Sequence, residues 1–379
     1  MYQRLIQKDI EKWLFKGKII ILYGPRQAGK TTLAKAILTT FGKDGSYFNC
    51  EVDSVKREIS SAEPAKLKSL FGDKKVVVLD EAQSVENIGR ILKTFIDAYP
   101  NQQIIATGSS SFDLANKISE PLTGRSIEFL LLPLSIAEIV AKDSLASFKS
   151  HEEFMFRFGL YPDIYNHRDS QDEARRELEN IQTNYLYKDI LMLEDIRKPK
   201  LVEDLLRLLA FQIGNEVSLG ELSVKLATSI PTVERYLDLL EKTFIIKRIY
   251  ALSRNLRNEI RRGFKVYFID VGIRNSLIQN MNPLSLRDDV GGIFENIFII
   301  ERIKKALYAG EFRNYYFWRT YDQKEIDFIE ESDGKLSAFE CKYSDGKIKA
   351  TTKKTFSTSY PNSSITLVNK ENYLGHILD

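Results

Sequence analysis

The sequence predicts an α/β fold: a parallel sheet with helices on both faces, then a winged helix-turn-helix, then a small second α/β domain. Three observations predict it. Short apolar runs at Lys18–Leu22, Val76–Leu79 and Gln103–Thr107 alternate with helical patterns in the first 150 residues. Strands apolar on both faces need helices over both faces, which marks a parallel sheet. Leu201–Ile249 reads helix, helix, helix, strand, with a tight turn at Thr228-Ser229-Ile230. After about Lys265 come a strand, a long helix and three strands, the last two joined through Asp333-Gly334, a hairpin signal.

The elements follow in order. Lys18–Leu22 is a strand that runs into a glycine-rich turn and a helix from about Thr31 to Phe41. Ser46–Cys50, Val76–Leu79 and Gln103–Thr107 supply further strands. From about His151 the pattern is helical with aromatics, and Lys198-Pro199 marks a boundary. Ser218 caps a short helix, and Pro231 suits the first turn of the next, whose Val233, Tyr236, Leu237 and Leu240 fall at helical spacing. A strand over 244–252 completes the winged-helix pattern. KVYFID at 265–270 is a strand, Gly292–Leu307 a periodic helix, and 315–320, 325–331 and 335–343 are strands. The expected domains are 1–150, a helical linker over 151–200, the winged helix over 201–264 and the final α/β domain over 265–379.

Composition narrows the function classes. A chain of 379 residues suggests two or three domains, and a hydrophobic fraction of 43% fills ordinary cores. Lys+Arg 55 against Asp+Glu 52 leaves +3, so bulk charge does not mark a nucleic-acid binder, and only a local basic patch would. The two cysteines, Cys50 and Cys341, exclude a disulfide framework and fit a reducing compartment. His151, His167 and His376 are too scattered for a zinc site. The charged N-terminal stretch lacks a signal-peptide core. Phe129–Val140, the most apolar stretch, holds Pro133 and Glu138 and falls short of a membrane span. The expectation is a cytoplasmic protein with no membrane association.

The chemistry begins at Gly24-Pro25-Arg26-Gln27-Ala28-Gly29-Lys30-Thr31, which completes G-x-x-x-x-G-K-[ST] between a strand and a helix. The glycines let the backbone wrap an anion, and successive N–H groups at a helix N-terminus face it. Lys30 reaches the β- and γ-phosphates, and the Thr31 hydroxyl ligates Mg²⁺. With Thr32 beside them, these residues are the expected binding site for ATP with Mg²⁺ as cofactor. The strand Val76–Leu79 delivers Asp80 and Glu81 to the crevice where open α/β sheets bind ligands. Asp80 would hold Mg²⁺ through water, and Glu81 would orient or deprotonate the attacking water. A polar group after the strand at 103–107 would touch that water or the γ-phosphate; Ser109, Ser110 and Thr107 are all placed for it. Arg125 would stabilise γ-phosphate charge from the same or a neighbouring subunit, and a plain surface arginine in a turn is its competing reading.

GPRQAGKTTLAK, VVLDEAQ and TGSSS…LTGR together resemble the prokaryotic AAA-type P-loop ATPases of the additional-strand, catalytic-glutamate class. LYPDIYN, TVERYLDLLEKTFIIKRI and YFIDVGIRNSL resemble the uncharacterised domain fused behind that core. The resemblance runs from about Tyr2 to Tyr343. It implies ATP hydrolysis, and a homo-oligomer or a protein partner. It does not reveal the base-binding pocket, for which the segment 2–6 is offered.

A second constellation lies near the end of the chain. Asp327 sits on one strand, and Glu340 and Lys342 sit on the next, two apart and so on one side. Glu295 on the preceding helix completes the group. Two carboxylates bind Mg²⁺, and a lysine steadies the attacking water. This D…E-x-K order resembles the PD-(D/E)xK nuclease core, except that Ile326 stands where the leading proline is expected. Glu295, Asp327 and Glu340 are the expected metal ligands, and Asp327, Glu340 and Lys342 the expected catalytic group. The rival is a nuclease-like domain without activity, its hairpin charges merely solvated.

The turn and second helix of the winged-helix pattern offer Ser229, Thr232 and Arg235 to a DNA groove. Glu234, Asp238 and Glu241 oppose phosphate, whereas Arg254, Arg257, Arg261 and Arg262 supply it with partners. Packing against another domain is the rival use. The sequence therefore supports an ATPase switch or motor coupled to a DNA-binding, nuclease-like half. The alternative is an ATP-dependent regulatory module with an inactive nuclease-like part. A small-molecule kinase ranks third, because no lid or acceptor site is visible and Glu81 favours water as nucleophile.

Overall fold

The structure, a computed structural model, describes residues 2–60, 63–108, 122–186, 198–253, 263–344 and 346–378. The chain divides into two compact units: 1–134 with 242–244, and 135–241 with 245–379.

The first unit is built on a five-stranded sheet: β1 (Ile19–Tyr23), β2 (Gly45–Asn49), β3 (Val76–Asp80), β4 (Gln103–Gly108) and β5 (Ser126–Leu130). The order is β2-β3-β4-β1-β5 and every pairing is parallel. Ile19–Leu22 of β1 and all of β3 and β4 are buried, as strands covered on both faces must be. One side packs on the helices Pro64–Phe71 and Ile88–Ala98 through Leu67, Phe71, Leu92 and Phe95. Because the strands are parallel, the loop after β1 and the acidic pair at the end of β3 emerge at the same edge, with β4 between them.

The second unit carries a mixed sheet of seven strands: β6 (Glu216–Val217), β7 (Ile246–Ala251), β8 (Phe264–Phe268), β9 (Asn314–Arg319), β10 (Glu325–Ser332), β11 (Lys335–Cys341) and β12 (Ser363–Val368). Its order is β12-β11-β10-β9-β7-β8-β6. The helices Pro199–Phe211, Leu219–Lys225 and Ile230–Lys242 precede the antiparallel pair β7 and β8, in the order of a winged helix. Ser218 caps the second of these, its hydroxyl accepting from the Glu221 N–H at 3.1 Å. Tyr250 and Ala251 of β7 pair in parallel with Tyr316 and Phe317 of β9. One sheet therefore runs through both segments expected as separate domains, and the expected boundary at 264/265 lies inside β8. The segment expected as a linker is built in as well. Asn275 donates to the Phe156 and Arg157 carbonyls at 2.9 and 3.0 Å, fastening the helix Glu152–Phe158 to Val271–Leu277.

Candidate nucleotide site and carboxylate cluster

The loop after β1 has a conformation that only its own residues tolerate. Gly24 adopts φ +148°, and a Cβ there would lie 2.0 Å from the Leu131 carbonyl oxygen. Gly29, at φ +96°, stands immediately before the helix Lys30–Thr39. Lys30 is buried, 4% exposed, and its ammonium donates to the Gly24 and Pro25 carbonyls at 2.9 Å each. Arg4 braces the loop from the N-terminal segment, donating to the Ala28 and Leu132 carbonyls at 2.6 Å each.

The carboxylate of Asp80 is gripped by hydroxyls from three elements. Thr31 donates to its two oxygens at 3.0 and 2.8 Å, Tyr47 of β2 donates at 2.6 Å, and Thr107 of β4 donates to Oδ1. Burial, with Asp80 alongside, holds the Tyr47 phenol above its ordinary range, so it remains a donor. Glu81 sits at φ +51°, a sparsely populated conformation for a residue with a side chain. Its N–H donates to Thr107 Oγ1 at 3.1 Å, and the Gln83 amide donates to its carboxylate at 2.5 Å. A buried ammonium, a hydroxyl and an oxygen-only acid set at a helix N-terminus form a donor set that fits a magnesium–nucleotide.

Of the three hydroxyls offered by the sequence after β4, Thr107 touches both acids; Ser109 and Ser110 lie outside the described residues. Arg125 needs a correction. Ser126 pairs with Ile19 and Leu130 with Tyr23, so Arg125 precedes the start of β5, at the opposite end of the sheet from the loop after Tyr23. It pairs with Asp97 at 2.9 Å. It therefore does not reach the site of its own subunit. Tyr47, Arg4 and Gln83 escaped the sequence reading. Tyr47 stands in the middle of β2 and reaches Asp80 by the length of its side chain, so its place in the strand gave no signal, and Arg4 carried none either.

In the second unit, Ser229 and Arg235 are exposed at the turn and on the helix Ile230–Lys242. Two of the three acids expected to repel phosphate are already paired: Arg248 of β7 binds Asp238 at 2.5 Å and Glu241 at 2.8 Å, and Lys247 binds Glu241 at 2.9 Å. Arg254, Arg257, Arg261 and Arg262 lie outside the described residues.

The expected metal cluster is organised differently from the sequence reading. The register of β10 against β9 shifts between Ile326 and Ile329, the stretch that holds Asp327. Glu295 comes from the helix Val290–Tyr308, and Lys342 pairs with Glu340 at 2.9 Å. The ammonium of Lys265, on β8, enters this group, 2.7 Å from Glu325, 3.2 Å from Glu295 and 3.4 Å from Asp327. The Tyr267 hydroxyl donates to Glu295 at 2.6 Å and the Cys341 N–H to Asp327 Oδ2 at 2.9 Å. Burial works to lower the Lys265 pKa; Glu295, Asp327 and Glu325 outweigh it and hold the ammonium charged. Among the described residues no group of three or more His, Cys, Asp or Glu side chains is arranged to hold a metal ion. Glu295, Asp327 and Glu340 thus do not form the expected ligand set, because a lysine stands among them. Lys265 and Tyr267 were missed by the sequence reading, although they alternate with apolar neighbours on one strand and so share a face.

Comparison with known proteins agrees with the first unit. Residues 16–140 match an AAA domain family, residues 150–284 a domain of unknown function (DUF8612) and residues 290–374 another (DUF4143). An uncharacterized protein of Mycobacterium tuberculosis is 27% identical over 338 residues, 88% of this chain and 72% of its own length. One of Methanocaldococcus jannaschii is 26% identical over 348 residues, 86% and 75% of the two chains. AMPPCP-bound DnaA from Aquifex aeolicus superposes with a TM-score of 0.32 at 16% identity, over 62% of this chain and 86% of that one. A superposition that loose says nothing of function. Among the described residues no helix is long and apolar enough to cross a membrane.

Proposed function

We propose that the first unit binds ATP with Mg²⁺ and hydrolyses it. The observation that carries this reading is the meeting of Lys30, Thr31 and Asp80 at one edge of the sheet, with Thr31 donating directly to Asp80. The N–H groups of 26–31 and the Lys30 ammonium bind the β- and γ-phosphates. Lys30 exchanges its bonds to two loop carbonyls for bonds to phosphate oxygens. Thr31 and Asp80 would hold Mg²⁺, which when bound would neutralise phosphate charge. Glu81 orients the attacking water and takes its proton, while Thr107 holds the Asp80 carboxylate and the Glu81 backbone N–H. Arg125 serves this chemistry only from a neighbouring subunit.

Phosphate release tests the reading. The intact protein should release phosphate from ATP with Mg²⁺ present and no second substrate, which also disposes of a kinase. Glu81→Gln should bind ATP yet turn over roughly 10²–10³-fold more slowly, the usual scale for losing a positioned proton acceptor. Normal hydrolysis by Glu81→Gln would remove Glu81 from this role.

The reading couples this ATPase to the second unit. Exposed Ser229 and Arg235, with Asp238 and Glu241 neutralised by Arg248 and Lys247, suit a helix that contacts DNA. A second reading, a partner-binding regulatory module without nuclease activity, is favoured by the lysine among the carboxylates. Mg²⁺- or Mn²⁺-dependent cleavage of DNA and RNA by wild type but not Lys342→Ala would reject this second reading.

A further inference from the structure

We infer that the ammonium of Lys265 is the resident cation of the carboxylate cluster, standing in place of the divalent metal that the D…E-x-K pattern implies, and that the second unit works without a metal there. This goes beyond the ATPase reading and holds whether or not the first unit turns ATP over.

The argument is geometric. Lys265 reaches over the two strands between β8 and β10 to enter the cluster. It is 1% exposed, and its three nearest carboxylates come from Glu325, Glu295 and Asp327 at 2.7, 3.2 and 3.4 Å. An ammonium has three donors, and three acceptors surround this one. A magnesium ion would need oxygens at about 2.1 Å and would occupy the same space. Two cations do not share a buried site that tight, because Coulomb repulsion at low dielectric is too large. Several of the oxygens are committed as well, while Glu340 Oε2 is buried with no hydrogen-bond partner among the described residues. Glu295 Oε1 accepts from both Lys265 and Tyr267, and Asp327 Oδ2 accepts the Cys341 N–H. Glu340, the acid of the E-x-K pair, is engaged by Lys342 at 2.9 Å.

A cavity of about 550 Å³, with Glu295, Gly214, Arg274 and Asp289 among its lining residues, opens beside the cluster. Glu295 faces this cavity, whereas Lys265 and Asp327 are not among its lining residues.

Removing the ammonium should therefore create a metal site. The experiment uses the full chain carrying Asp80→Asn, without nucleotide, so that Mn²⁺ is not read at the first unit. In that background Mn²⁺ should leave the melting temperature unmoved, and electron paramagnetic resonance should show no bound ion. Adding Lys265→Met should yield a protein that melts lower and that Mn²⁺ restores by several degrees, with bound Mn²⁺ now detected. Further replacement of Asp327 by Asn should abolish that binding. Folded Lys265→Met protein that ignores Mn²⁺ would overturn the inference. So would Mn²⁺ bound to the Lys265-containing chain and lost on Asp327→Asn. If Lys265→Met fails to fold even with Mn²⁺, that second measurement decides alone.

Discussion

Arg4→Ala should loosen the phosphate loop from outside the motif. The guanidinium gives two hydrogen bonds of 2.6 Å to the Ala28 and Leu132 carbonyls, and Arg4 is 5% exposed. Hydrogen bonds to charged groups contribute about 1.5–3 kcal/mol each, and deletion leaves buried acceptors without the partner that satisfied them. The two share one donor group and will not add fully, so a total loss of roughly 3 kcal/mol is expected. Ala28 belongs to the loop, so part of this loss falls on the conformation that receives phosphate. If half of it does, ATP affinity drops about tenfold, since 1.4 kcal/mol is one decade. Titration calorimetry with ATP and Mg²⁺, beside a thermal melt, reads both parts. Arg4→Lys should fall between, because one ammonium keeps the charge without the fork that reaches two carbonyls. Wild-type affinity and melting in Arg4→Ala would refute the bracing role.

Tyr47→Phe removes the 2.6 Å donation to Asp80 and should cut turnover roughly tenfold while raising the Mg²⁺ concentration needed; an unchanged Mg²⁺ dependence of phosphate release would count against it. Gly24→Ala should lose ATP binding and stability together, because the added carbon would lie 2.0 Å from the Leu131 carbonyl oxygen; calorimetry and a melt check it. Acid should weaken the second unit through Asp289. Burial pushes its carboxyl up, and Arg287 and Arg274 outweigh that, holding it at about 2 against an ordinary 3.8. A folded value below the unfolded one adds stability that is full above about pH 4 and is lost as pH falls through 2. Asp289→Asn should flatten the acid limb of the melting curve, and an identical limb would reject the assignment.

The parts legible in the sequence are those in which neighbours in the chain are neighbours in space. Gly24–Thr31 and Asp80-Glu81 are short segments whose strand and helix flanks set their geometry, so motif and site coincide. Lys265 was illegible as part of a site because its partners lie at 295, 325 and 327, and only the sheet order brings them to one place. Arg4 is illegible for the same reason. The sequence offers Arg125 to its own or a neighbouring subunit, and the first option fails because it precedes its strand, which in a parallel sheet places it at the far end from a loop that follows one. The boundary at 264/265 failed because β7 pairs with β9, a contact across 66 residues that composition does not mark (316 against 250).

Titration calorimetry of the intact chain and of Lys30→Ala with ATP and Mg²⁺ probes the nucleotide site most directly. The intact chain should bind one ATP per subunit, and Lys30→Ala, folded by its melt, should give no measurable heat. Well-folded intact protein that gives none, or Lys30→Ala that binds like its parent, would contradict the assignment of this loop to a triphosphate.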